Sequence, residues 1–215
     1  METILTQYYQ SPYGELLLGS FGDKLCLCDW MLNEKRRVTV DKRIRQALYA
    51  DYEEGTSEVI ARAIIQLDEY FARKRTIFDV PLLAVGTEFQ RTVWQELQNI
   101  PYGKTVSYGE LSRKLGNPKA VRAVAAANGA NALSILIPCH RVVGSNHTLI
   151  GYAGGLAAKQ GMLALEADSC DGPSGSRIGQ LFLRSGLFLV FRRCHPRHTF
   201  EELREERRIG KVQFV

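Results

Sequence analysis

The chain has 215 residues, 45% of them hydrophobic and 24% charged, which supplies a sizeable core and argues against a disordered chain. Its net charge of +5 is uneven: residues 1–84 carry −2, residues 85–166 carry +4 and residues 167–215 carry +3. Five scattered cysteines, a polar Met1–Gln10 without an apolar signal core, and no apolar run near the roughly 18 residues of a membrane span argue against secreted disulfide-stapled and membrane-embedded classes. The expected setting is the reducing cytoplasm, and the Asn146-His147-Thr148 sequon carries no weight there.

In chain order, Ser11-Pro12-Tyr13-Gly14 is a turn, followed by strand-like Glu15–Phe21 and Leu25–Trp30 around a Gly22-Asp23 hairpin signal. Lys35–Lys42 is polar and basic, and is expected to be exposed. Val59, Ile60, Ala63, Ile64, Leu67, Tyr70 and Phe71 recur at helical spacing over Ser57–Arg73, with Ser57 as N-cap. Ile77–Leu82 reads as one more strand, closing a small α+β domain over residues 1–84, and Val85-Gly86-Thr87 reads as a linker.

Residues 85–167 read as a second domain. Phe89–Ile100 is an amphipathic helix stopped by Pro101-Tyr102-Gly103. Ser107 caps a helix over Tyr108–Leu115, Gly116-Asn117-Pro118 breaks it, and Pro118 opens a third helix to about Ala127. Two short helices around a glycine-containing turn match a helix-turn-helix. The third is alanine-rich, with Lys119 and Arg122 as its charged members; small side chains let its backbone approach a nucleic-acid groove, although alanines also simply favour helix. Asn128–Asn131 forms a turn.

The stretch Ile135–Val143 carries the chemistry. Its aliphatic arms read as short buried strands on either side of a turn fixed by Pro138, with Cys139, His140 and Arg141 at its tip. A thiolate is the reactive form of cysteine, and basic or cationic neighbours favour it. A polar loop over Gly144–Thr148, the glycine-rich Gly151–Gly155 around Tyr152, and a helix over Leu156–Glu166 follow.

Taken together, Gly116–Val124, Pro138–Val143 and Gly151–Lys159 resemble, in order and spacing, the O6-alkylguanine-DNA alkyltransferases, also called methylated-DNA–protein-cysteine methyltransferases. Ser11–Gly14 and Phe78–Leu82 resemble that family's N-terminal domain more weakly. The resemblance implies an α+β fold: an N-terminal ribonuclease H-like domain and a winged-helix-like alkyltransferase domain. It implies Cys139 as alkyl acceptor, His140 as the base that takes the thiol proton through a water, and Glu166 as the acid that orients His140. Asn131 would be the hinge before the site, Arg122 the wedge left in the stack, and Tyr108 the residue that crowds the flipping phosphate. Asn117 and Ser145 would contact DNA, while Tyr152, Val142 and Ala153 would contact the substrate base. The implied partner is double-stranded DNA carrying O6-alkylguanine, with O4-alkylthymine as a second lesion, bound by a monomer in the cytoplasm or on the nucleoid. No cofactor and no metal are implied, and a stable thioether product implies a single turnover.

The chain departs from the family in three places. Cys26 and Cys28 form a C-x-C pair without a nearby histidine, a weak metal set that reads as core. Ala153 stands where some relatives carry serine, which leaves the backbone N–H to serve there. Residues 168–215 form a linker and an unrecognised extension, readable as a ββαβ module, with Cys194, His195 and His198 as a weak metal motif. Rival readings are a non-catalytic alkylated-DNA recognition protein, a self-alkylating transcriptional regulator and a Cys–His hydrolase; the first lacks a use for Cys139, and the last lacks one for the helix-turn-helix.

Overall fold

A computed structural model describes residues 3–168; the extension and its Cys194, His195 and His198 lie outside the described residues. The first half is built on a four-stranded sheet in the order β3-β2-β1-β4. Strands β1 (Ile4–Ser11), β2 (Gly14–Phe21) and β3 (Lys24–Trp30) form an antiparallel meander, and β4 (Tyr52–Glu54) joins β1 in parallel. The turns fall at Gly14 and Gly22, whose φ of 134° and 58° suit glycine. Helix α1 (Glu34–Leu48) connects β3 to β4, and α2 (Glu58–Phe71) packs its Ile60, Ala63, Leu67 and Tyr70 into the core. Ser57 caps α2, its hydroxyl accepting from Ile60 N at 3.2 Å.

Two sequence expectations need amendment in this half. Lys35–Lys42 lies in α1, with Lys35, Val38, Thr39 and Lys42 exposed as expected but Arg37 and Val40 buried on a face that continues to Ile44. Those positions are spaced 3 and 4 apart, but charged neighbours mask the stripe, and Asn33 supplies an N-cap bond to Arg36 N at 3.0 Å. Ile77–Leu82 forms no strand of its own. It touches β3 through a single bridge, Leu82 to Leu25, because Pro81 has no N–H to extend the ladder.

The second half is helical. Helices α3 (Glu88–Gln98) and α4 (Tyr108–Lys114) both begin in capping boxes, Thr87 with Gln90 and Ser107 with Glu110. The chain reverses at Gly116, φ 74°. Helix α5 then runs over Val121–Gly129, so Pro118 lies before it rather than in its first turn. Residues 117–120 instead close a turn, Ala120 N donating to Asn117 O at 3.0 Å. A two-stranded parallel ribbon, β5 (Val106–Ser107) with β6 (Val142–Val143), ties the helix-turn-helix to the cysteine segment, and α6 (Gly155–Asp168) closes the fold.

The two halves share one core. Leu16, Trp30, Leu67 and Tyr70 from the first and Val93, Trp94, Cys139 and Met162 from the second belong to a single buried cluster. A fully buried large apolar side chain stabilises by about 1.5–3 kcal/mol before entropy is counted, so this shared core outweighs any surface contact. Helix α1 also grips the end of α5. Arg36 donates to Gly129 O and Asn131 O, and Arg43 donates to Ala130 O, placing cations on the negative end of the helix dipole. Gly161 of α6 lies under Tyr13, where any Cβ would come within 2.2 Å of the ring.

Candidate active site

The first arm of the cysteine segment is irregular where the sequence predicts a strand, while the second, Val142–Val143, forms β6. Ile135 takes φ 75°, a strained value for a β-branched residue, so Ile135–Ile137 cannot continue an extended ladder. The segment is held from outside instead. Cys28 N donates to Ala132 O at 2.8 Å and Ser134 N donates to Cys28 O at 2.7 Å, splicing residues 132–134 onto the edge of β3. Pro138 then opens a single 3₁₀ turn, Cys139–Arg141, before β6.

Asn131 organises the approach to the sulfur. Its side-chain N–H groups donate to Ile137 O at 3.0 Å and to Cys139 Sγ at 3.1 Å, while its Oδ1 accepts from Leu133 N at 2.9 Å. Asn128, one turn earlier, reaches both Tyr108 OH and Cys139 O at 3.4 Å. Cys139 itself is only 4% exposed. Burial pushes its thiol up, while the Asn131 hydrogen bond and the charges of Arg36 and Lys159 pull it down and Asp29 opposes them. The net direction is upward, so the resting group is a thiol that needs a base.

His140 follows Cys139 in the same 3₁₀ turn. His140 Nε2 lies 2.8 Å from Glu166 Oε1. A carboxylate can only accept, so Nε2 carries the proton and Nδ1 keeps a lone pair. Burial holds the imidazole below its ordinary value, hence neutral, and Nδ1 is buried without a hydrogen-bond partner among the described residues. Glu166 is fully buried at the end of α6. It accepts from Tyr70 OH at 2.8 Å, from Gly103 N at 3.1 Å, and from Arg141 Nε and Nη2 at 2.9 and 3.0 Å. Burial alone would raise this carboxyl, but the bonds and charges of His140 and Arg141 bring it down to about 2.

The sequence reading of Arg141 therefore needs correction. Its guanidinium does not serve the sulfur; it neutralises Glu166, donates to Ile100 O at 2.7 Å and lies 5.6 Å over the Tyr102 ring. Lys159, fully buried, donates to Val142 O at 2.6 Å and Ile150 O at 2.8 Å, and burial lowers its ammonium to about 8. Tyr152 meets the His140 ring edge-on at 6.4 Å.

Of the residues singled out by sequence, Cys139, His140, Glu166, Asn131, Tyr108, Tyr152 and Val142 converge here, and Ala153 is half-buried in the loop that carries Tyr152. Arg122, Asn117 and Ser145 are exposed, and no hydrogen bond among the described residues ties them to Cys139. Tyr70, Asn128, Lys159 and Trp30 were not anticipated as site residues. Only the Asn-Gly-Ala-Asn turn hinted at one of them, since a buried amide needs partners. Cys26 has no cross-strand partner, because the register passes from Leu25–Ser20 to Leu27–Gly19 around it. That bulge sends Cys26 and Cys28 into different core clusters. Among the described residues no group of three or more His, Cys, Asp or Glu is placed to hold a metal.

A buried thiol with an amide donor on its sulfur and a neutral imidazole–carboxylate pair behind it, carried by a helix-turn-helix domain, defines a cysteine-nucleophile protein of the DNA-directed kind. Residues 4–84 match the family model of the 6-O-methylguanine DNA methyltransferase ribonuclease-like domain, and residues 88–168 match that of its DNA-binding domain. The methylated-DNA–protein-cysteine methyltransferase of Methanosarcina acetivorans is 41% identical over 162 residues, 75% of this chain and 97% of the relative. That of Haemophilus influenzae is 38% identical over 77% of this chain and 88% of the relative. The crystal structure of the Mycobacterium tuberculosis O6-methylguanine methyltransferase superposes with a TM-score of 0.64 at 36% identity, covering 85% of this chain and 99% of that one. The structure of the same organism's protein in complex with DNA gives 0.65 at 38% identity, over 77% and 94%. The chain belongs to the methylated-DNA–protein-cysteine methyltransferase family.

Proposed function

We propose that this chain repairs double-stranded DNA by taking the alkyl group of O6-alkylguanine, and of O4-alkylthymine, onto Cys139 once and irreversibly. The observation that carries this reading is the Cys139 sulfur on its 3₁₀ turn, with Asn131 on one side and the His140–Glu166 pair behind it. The complex of the M. tuberculosis relative with DNA supports a DNA partner.

The chemistry follows from the site. The O6 of guanine in a duplex is out of reach of a buried sulfur, so the base must be flipped at a cost of about a few kcal/mol. Arg122, exposed on α5, fills the gap, Tyr108 crowds the phosphate, and Asn117 and Ser145 hold the backbone. The thiol proton passes through a water to His140 Nδ1, and Glu166, already ionised, stabilises the imidazolium that forms. Sulfur attacks the alkyl carbon, the S–C bond forms as the C–O6 bond breaks, and guanine leaves with a returned proton. Tyr152, Val142 and the backbone at Ala153 line the slot. A thioether has no route back to the thiol here, so the monomer is consumed. No helix among the described residues is long and apolar enough to cross a membrane.

The test is stoichiometry. With excess methylated duplex, lesion removal should stop at one lesion per chain. Continued turnover would overturn the reading and favour a hydrolytic mechanism.

A further inference from the structure

The loop that carries Tyr152 is anchored from the other half of the molecule. Trp30, the last residue of β3, is 2% exposed. Its indole Nε1 donates to Tyr152 OH at 3.0 Å, and the two rings meet edge to face at 6.0 Å and 68°. An indole N–H can only donate, so the tyrosine oxygen accepts, and its own hydrogen stays available to another acceptor. The same indole lies flat on Gly154: a Cβ there would come within 2.6–3.0 Å of Cδ2, Cε2 and Cγ. One side chain therefore fixes both neighbours of Ala153, and Tyr152 in turn touches the His140 ring.

We propose that Trp30 is a positioning residue that holds Tyr152 and the backbone of residues 152–154, and through them sets which alkyl groups react with Cys139. The proposal rests on the alkyl-acceptor reading of Cys139. A fixed wall serves small groups most. A methyl carbon presents little surface of its own, so its distance to sulfur depends on the wall that backs the base. A benzyl group refills space that a loosened wall opens and keeps its carbon near the sulfur. Loss of alignment by an ångström or of one hydrogen bond is worth on the order of tenfold or more in rate.

The experiment uses the full-length chain with short duplexes carrying O6-methylguanine or O6-benzylguanine, and reads the rate of label transfer to Cys139. Trp30→Phe keeps an aromatic ring on Gly154 but removes the N–H. The expected result is a methyl rate reduced by about tenfold and a benzyl rate changed by less than about threefold, so that the benzyl-to-methyl ratio rises. In a Tyr152→Phe background, which itself alters the rates, adding Trp30→Phe should leave the ratio where Tyr152→Phe puts it. An equal fall of both rates, or the same rise of the ratio in both backgrounds, overturns the proposal. If Trp30→Phe does not fold, replacing Trp30 by 3-benzothienylalanine keeps the shape of the indole without its N–H and gives the same two outcomes. A wild-type protein that transfers neither label would sink the alkyl-acceptor reading; wild-type transfer with an unchanged ratio in the variants sinks the role of Trp30 alone.

Discussion

At the scale of single residues, the site separates two tasks that the Cys139-His140-Arg141 run presents as one. His140 and Arg141 both turn to Glu166, and the sulfur is served by Asn131. Asn131→Ala removes the amide from Sγ and from Ile137 O together; single-turnover kinetics should show transfer slowed by about tenfold to a hundredfold with duplex affinity little changed, the cost of one or two lost buried bonds. An unchanged rate would remove Asn131 from the site. The buried pair also sets an acid limit on folding. His140 is held below its ordinary 6.5, so its neutral form is fully favourable above that value, and the unfolded chain takes the proton first as pH falls below it. Glu166, ordinarily near 4.5 and here about 2, contributes stability above 4.5 that is lost between those values. Thermal unfolding followed against pH should therefore show Tm falling from about 6.5 downward, with a second decline below about 4.5. A flat Tm across the first window would contradict a buried neutral His140.

At the scale of elements, the proposed function assigns the duplex-specific work to α5. Its N-cap Ala120 and its Ala123, Ala125 and Ala126 leave the backbone close to the surface, with Arg122 exposed among them. Arg122→Ala should slow repair of a lesion in duplex DNA by about tenfold or more while reaction with free O6-benzylguanine stays within about twofold, because only the duplex has a stack to refill. Equal losses on both substrates would rule out the wedge. Legibility in the sequence also varies by element. The caps at Ser57, Ser107 and the apolar stripes of α2 and α3 were readable, because side-chain type and spacing encode them directly. Helix α1 was not, since arginines and lysines crowd its narrow buried face, and one of the buried positions is Arg37 itself. Of the two arms of the cysteine segment read as strands, Val142–Val143 forms β6, but Ile135–Ile137 does not: β-branched residues favour extended backbone, and tertiary bonds to β3 and the positive φ of Ile135 override that preference.

At the scale of the whole molecule, the sheet half contributes to the candidate site. Tyr70 from α2 bonds Glu166, Trp30 from β3 bonds Tyr152, and Cys28 of β3 pairs with the segment that leads to Cys139. None of these links is visible in sequence, because each joins residues far apart along the chain through a donor and acceptor that have many other uses. The Pro-Cys-His-Arg run, by contrast, is local and pointed to Cys139 and His140, while Asn131 and Glu166 came only from the resemblance to the family. The basic surplus of residues 85–166 bears on the partner. If Lys119 and the other basic residues around the helix-turn-helix face phosphates, the logarithm of the duplex affinity should fall linearly with the logarithm of salt concentration, with little dependence on base sequence. A salt-independent affinity would contradict an electrostatic footprint.

The most direct measurement is a peptide-mapped mass spectrum of the protein after incubation with methylated duplex. The account predicts one added methyl per chain, on Cys139, and none on Cys139→Ser protein that still binds the duplex. A methyl on Cys26, Cys28 or any other residue, or lesion removal that leaves the protein mass unchanged, would contradict it.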